Sequence, residues 1–161
     1  MRSILIPVDG SPQSEAAVRA VVAQARREPI AAIHIVNVQR PLVRHVTRFF
    51  DRRTVREFQR DEGVRCVAGA RRILDGAGLP FQLHLRTGRV ARTIAETATT
   101  LGVDEIVMSP AEGGLFGNLR IWLLIGAVRR HANLPVVAVI GAERGPKLDF
   151  PPAPLGTTVP R

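Results

Sequence analysis

Cysteine is almost missing from this chain: Cys66 is the only one in 161 residues. An internal disulfide is therefore excluded, and so is a zinc cluster built on paired cysteines. Long apolar runs are missing too, and none reaches the length needed to span a bilayer. Met1-Arg2-Ser3-Ile4 leads straight into a strand-like run, without the charged start and apolar core of a secretory signal. A cytoplasmic protein with no membrane contact is expected. Catalytic constellations are also lacking. Ser11 has no base nearby, and no Gly-x-Ser-x-Gly elbow occurs. His34 and His84 fall inside strand patterns, where packing or local bonding is their expected role. His45 and His131 stand far apart, and no His/Asp/Glu spacing suggests a ligand set, so no metal is expected. Cys66 sits among Val64, Val67 and Ala68 and reads as a core thiol.

What remains is an ordinary apolar fraction, 45%, with a net charge of +9. The length suits one domain with one core. The charge permits an acidic partner, although a solvated basic surface is the commoner meaning. Five short apolar runs alternate with helical patterns. "RSILIPVD" reads as the first strand, and "GSPQSEAAVRAVVAQARRE" as a helix with Ser11 as its cap and Pro12 in its first turn. "AAIHIVNV" is the second strand and "FQLHLRTG" the third. "ARTIAETATTLG" is a helix closed by Gly102. "DEIVMS" is the fourth strand and "PVVAVIG" the fifth. Strands and helices alternating through short links predict right-handed crossovers and a parallel sheet covered on both faces. No internal repeat is present. Residues 1–141 are read as one α/β domain. Residues 142–161, rich in proline with little to bury, are read as a flexible tail.

Between strands two and three, Arg40, Arg44, Arg48, Arg52, Arg56 and Arg60 recur at every fourth position. Phe49, Phe50 and Phe58 lie between them. Arginine with interleaved aromatics can suit nucleic acid or an acidic protein. Asp51, Glu57, Asp61 and Glu62 can neutralise the stripe, Pro41 limits a helix, and no recognition motif accompanies it. A solvated, salt-bridged face is the favoured reading, and nucleic acid is not an expected partner.

In their order and distances, these motifs resemble the universal stress protein family. "ILIPVDGSPQSEAAVRAVV" resembles its first strand and helix, with Asp9-Gly10-Ser11 in the turn, and "IHIVNVQ" resembles its second strand. "DEIVMS" and "HANLPVVAVI" resemble its fourth strand and its last helix and strand. The resemblance implies a Rossmann-like three-layer α/β sandwich: a five-stranded parallel sheet in the order 3-2-1-4-5, with helices on both faces. The family is usually dimeric. By that strand order Val136, Val137, Ala138, Val139 and Ile140 form an uncharged sheet edge. A homodimer through this last strand is expected, because bare edges are normally paired or protected.

Many members of the family bind ATP, through Gly-x-x-Gly, nine residues, then Gly-Ser or Gly-Thr, after the fourth strand. Glycines let backbone N–H groups approach phosphate, and the following helix turns its positive end to the anion. Aligned without a gap, the first two glycines become Ser109 and Glu112, and the final pair becomes Trp122-Leu123. Pro110 also removes a donor. At about 5 Å and an effective dielectric of about 20, one carboxylate facing one phosphate charge costs roughly 3 kcal/mol. The segment looks like a phosphate loop in layout that has lost its phosphate chemistry. The base and ribose half of the site, implied at Pro7, Val8, Asp9, Val38 and Met108, is less altered. Asp9 also reads as a plain turn residue. Where the family often has Gly-Asp-Pro, Gly88-Arg89-Val90 would put a cation near the same crevice. The expectation is a regulatory or interaction protein, not an enzyme, with no cofactor and with an unidentified protein partner open. The alternatives are an ATP-binding member with a rearranged loop and weak ATPase activity, and an arginine-mediated binder of nucleic acid or an acidic partner.

Overall fold

The computed structural model describes residues 1–41, 51–110, 117–139 and 147–150, with 117–120 and 147–150 as backbone alone. Its elements in chain order are β1 (Arg2–Pro7), α1 (Pro12–Ala25), β2 (Ile30–Gln39), α2 (Arg52–Gly76) and β3 (Gln82–Thr87). After these come α3 (Val90–Leu101), β4 (Glu105–Met108), α4 (Gly117–His131), β5 (Val136–Val139) and β6 (Lys147–Phe150). The sheet order is β3-β2-β1-β4-β5-β6. Its first five strands are parallel, as expected.

Alternation along each strand builds two apolar layers. Ile4, Ile6, Ile33, Ile35, Val107 and Val137 face one way and bury Val18 and Val21 of α1 and Val67 and Leu74 of α2. Leu5, Val36, Ile106, Met108 and Val136 face the other way, against Ile94 and Ala98 of α3 and Ile125 and Val128 of α4. Period-2 strands thus meet period-3.6 helix stripes on both sides.

The helix ends follow local chemistry. Ser11 caps α1, its hydroxyl accepting from Ser14 N at 3.2 Å, with Pro12 just inside. Asp51 caps α2 by accepting from Thr54 N at 2.6 Å. Gly102 closes α3 in the left-handed conformation that favours glycine. The arginine stripe is consequently not one helix. Arg40 follows β2, Arg52 opens α2, and Arg44 and Arg48 lie outside the described residues.

The fifth strand corrects two expectations. β5 is not a bare edge: β6 runs antiparallel along it, with Val136 opposite Phe150, Val137 opposite Asp149, Ala138 opposite Leu148 and Val139 opposite Lys147. The edge expected to pair with a second copy is occupied by the same chain, and Ile140 lies outside the described residues. Residues 147–150 of the expected flexible tail are a strand, which makes the sheet six-stranded. An edge strand offers a row of unpaired N–H and C=O groups. A segment close by in sequence reaches them at small entropic cost.

Candidate functional site

The carboxyl ends of β1, β2 and β4 open into one crevice. Pro7, Val8, Asp9, Val38, Met108 and Ser109 line it, and these are six of the positions expected from the sequence. The rest of the lining is apolar at Val36, at Val90 and Ile94 of α3 and at Ile121 and Leu124 of α4, and polar at Ser11 and Ser14. The cavity holds about 70 Å³.

Asp9 stands where β1 turns into α1. Its Oδ1 accepts from Ser11 N at 3.0 Å and from Ser11 Oγ at 2.5 Å. Ser14 Oγ donates to Ser11 O at 2.9 Å and accepts from Asp9 N at 3.4 Å. Desolvation pushes the Asp9 carboxyl up, but the hydrogen bonds from Ser11 and Ser14 outweigh it and leave the pKa below the ordinary carboxylate value. The crevice therefore presents an anion at neutral pH. Gly10 makes the turn feasible. Its φ is +82°, and a Cβ there would come within 3.2 Å of the Cys66 backbone on α2.

A buried polar chain holds the strand ends in register. Val8 N donates to Val36 O at 2.9 Å, and Asn37 Nδ2 donates to Val8 O at 2.7 Å. Gln39 Nε2 donates to Asn37 Oδ1, also at 2.7 Å. Asn37 was not among the expected site residues. The signal for it was a lone amide inside an apolar strand, which must find a partner when buried.

The expected phosphate-loop positions fare differently. The Ser109 hydroxyl, buried, donates to Pro110 O at 3.3 Å, so it is turned back on its own chain. Glu112 lies outside the described residues. Trp122 is partly buried against the second apolar layer, and Leu123 is 63% exposed. Neither lines the crevice. Helical periodicity gives the reason. Ile121, Leu124, Ile125 and Val128 share the inward stripe of α4, and Leu123 falls on the opposite face. Arg89, the expected cation, is an exposed N-cap of α3 that does not line the crevice, although Val90 beside it does.

The other sequence expectations can be placed as well. His34 and His84 bond each other. Cys66 is only partly buried, and burial raises its pKa, so it stays a protonated thiol. Among the described residues no helix is long and apolar enough to cross a membrane, and no group of three or more His, Cys, Asp or Glu could hold a metal.

The fold is of the doubly wound α/β class, and the crevice lies outside the carboxyl ends of its strands, where open sheets of this class generally hold their ligands. This chain belongs to the universal stress protein family, whose sequence profile matches residues 1–139. Solved structures agree in fold. A universal stress protein family member from Burkholderia pseudomallei is 24% identical, with a TM-score of 0.64, over 86% of this chain and 95% of that one. A universal stress protein solved in complex with cAMP is 18% identical, with a TM-score of 0.64, over 86% and 96%. The universal stress protein from Archaeoglobus fulgidus solved in complex with dAMP is 18% identical, with a TM-score of 0.59, over 86% and 97%. No curated protein matches this chain in sequence.

Proposed function

We propose that this chain is a regulatory or interaction protein of the universal stress protein family whose crevice does not bind ATP. The observation that carries this reading is the lining itself. Among the described residues it combines apolar side chains with the ionised Asp9 and with Ser11, Ser14 and Ser109, whose hydroxyls are bonded within the protein, and it includes no Lys or Arg. A triphosphate brought there meets a like charge and, among the described residues, no compensating cation, a penalty of a few kcal/mol at an effective dielectric of about 20. Ser109 spends its hydroxyl on Pro110, and Ile121 and Leu124 offer no hydrogen bond where α4 meets the crevice. The cavity of about 70 Å³ is also small for a nucleotide. Small-molecule sites usually run to roughly 300–1,000 Å³. Ser11, whose hydroxyl is bonded to the Asp9 carboxylate, is engaged in capping α1, and the role we infer is regulatory.

A second reading is binding of a nucleoside or mononucleotide without the triphosphate. Pro7, Val8, Val36, Val38 and Met108 give an apolar slot that suits a base. Two structures of the same fold are complexes with cAMP and dAMP. Calorimetry with Mg-ATP, adenosine and dAMP separates the two readings. The first expects none of them to bind in the crevice. Low-micromolar binding of adenosine or dAMP alone selects the second, and low-micromolar binding of Mg-ATP in the crevice rejects both.

A further inference from the structure

A second concavity lies on the far side of the sheet's β2–β3 end, and the crevice shares no residue with it. Arg56, Gln59 and Arg60 of α2, Gln39 at the end of β2, and Arg86 and Thr87 at the end of β3 enclose a groove of about 340 Å³ over Leu85. We propose that this groove binds a chain of linked phosphates.

The charge arrangement carries the argument. Arg56 and Arg60 are one turn apart on α2, close enough for both guanidiniums to meet one ligand. Three acids of the helix pair with arginines outside the groove. Glu57 pairs with Arg53 at 2.9 Å, Glu62 with Arg65 at 3.6 Å and Asp75 with Arg71 at 3.4 Å. Asp51 accepts the N-cap bond from Thr54 and also lies within the field of Arg56. Neither it nor Asp61 lines the groove. Among the described residues Arg56, Arg60 and Arg86 have no ion pair. Arg86 Nη1 donates only to the neighbouring Leu85 O, at 3.3 Å. Three cations around one concavity repel one another until an anion enters.

Neutral donors complete the site. Gln39 and Gln59 each use Nε2 on the protein, toward Asn37 Oδ1 at 2.7 Å and Arg40 O at 3.3 Å. Gln39 Nε2 also reaches Cys66 Sγ at 4.0 Å, so the second N–H left for a ligand is that of Gln59, and Thr87 adds a hydroxyl. Leu85 supplies an apolar wall, which strengthens the field of the cations around it. Guanidinium forks suit phosphate oxygens bidentately. Three such forks and a groove of this size exceed what one phosphate can occupy, whereas linked phosphates carry a charge comparable to that of the three arginines. A single strand of nucleic acid fits less well. Binding it without sequence preference relies on aromatic stacking platforms, and no aromatic side chain lines the groove among the described residues.

The test is calorimetry of the full chain with inorganic tripolyphosphate in moderate salt. Two variants are run beside it: R56Q/R60Q/R86Q, and R19Q/R71Q/R92Q. The second loses three arginines paired elsewhere with Glu15, Asp75 and Glu96, so the two have equal net charge. Tripolyphosphate should bind the unmodified chain and the charge-matched control alike. It should bind R56Q/R60Q/R86Q at least about thirtyfold more weakly, since each charge-assisted bond is worth roughly a factor of ten before solvent screening. A nucleoside triphosphate run in parallel separates the sources. Equal affinity means that the phosphates alone are read, and tighter binding means that the chain is carried on a nucleoside. No binding by the unmodified chain would overturn the proposal. So would equal losses in the two variants, or tighter binding of a single-stranded oligonucleotide than of tripolyphosphate.

Discussion

His34 on β2 and His84 on β3 face each other across adjacent strands, with His34 Nδ1 3.2 Å from His84 Nε2. One ring must present an N–H and the other a lone pair, so the contact holds only while at least one ring is neutral. Burial lowers the pKa of His34. Burial, then the charge of His34, then that of Arg86 lower that of His84. A histidine whose folded pKa lies below its unfolded value makes the unfolded state bind more protons as pH falls. Stability from this pair is therefore present above the ordinary histidine value of about 6.5 and is lost as pH drops below it. The melting temperature should fall between about pH 7.5 and pH 5.5, and His84→Phe should flatten that dependence. An equally steep profile in the variant would assign the effect to other groups.

Glu105, at the start of β4, is buried with Oε1 unbonded among the described residues, while its Oε2 is 3.5 Å from Arg2 Nη1. Arg2 is half exposed and also pairs with Glu28 at 2.7 Å. Arg2→Ala strands a buried carboxylate. After discounting for the exposure of the arginine, it should cost about 1–2 kcal/mol, or about 2–6 °C in melting temperature. Glu105→Gln removes the charge itself and should be near neutral or stabilising. Thermal denaturation of both variants checks the ordering, and the reverse order would mean that the pair is a net stabiliser.

The pairing of β6 on β5 makes a prediction about assembly. With its edge occupied in cis, the full chain should be monomeric at micromolar concentration. In the full chain, Leu148→Pro together with Asp149→Pro removes two backbone donors from β6. The uncharged edge at Val136–Val139 is then bare, and two copies should pair across it around a two-fold axis. Sedimentation measures both states. A dimeric unmodified chain, or a variant that stays monomeric, would show that β6 does not control this edge.

The strands of this protein were legible because β-branched runs such as Ile4–Ile6 and Ile33–Val36 are buried on both sides, and a both-sides-buried strand reads as continuous apolar sequence. Asp9-Gly10-Ser11 was legible because cap and turn chemistry is local. β6 was not. Lys147–Phe150 is four residues in a proline-rich stretch, and its strand character comes from the β5 edge it meets and not from its own composition. Trp122 and Leu123 were aligned by counting from a motif, whereas the rotation of α4 decides which residues face the crevice, and it selects Ile121 and Leu124. The arginine stripe was visible as a period of four. Its groove was not, because Arg86 joins Arg56 and Arg60 only through the pairing of β3 with β2.

The crevice and the arginine groove must be measured apart, because ATP carries the linked phosphates that the groove is proposed to bind. The most direct measurement is therefore calorimetry of Mg-ATP with the R56Q/R60Q/R86Q variant, in which only the crevice remains. The account predicts no binding tighter than about 1 mM, because the ionised Asp9 faces the ligand and the described lining offers no cation. A dissociation constant in the low micromolar range, or a crystal of that complex with the ATP phosphates on residues 109–123, would contradict it.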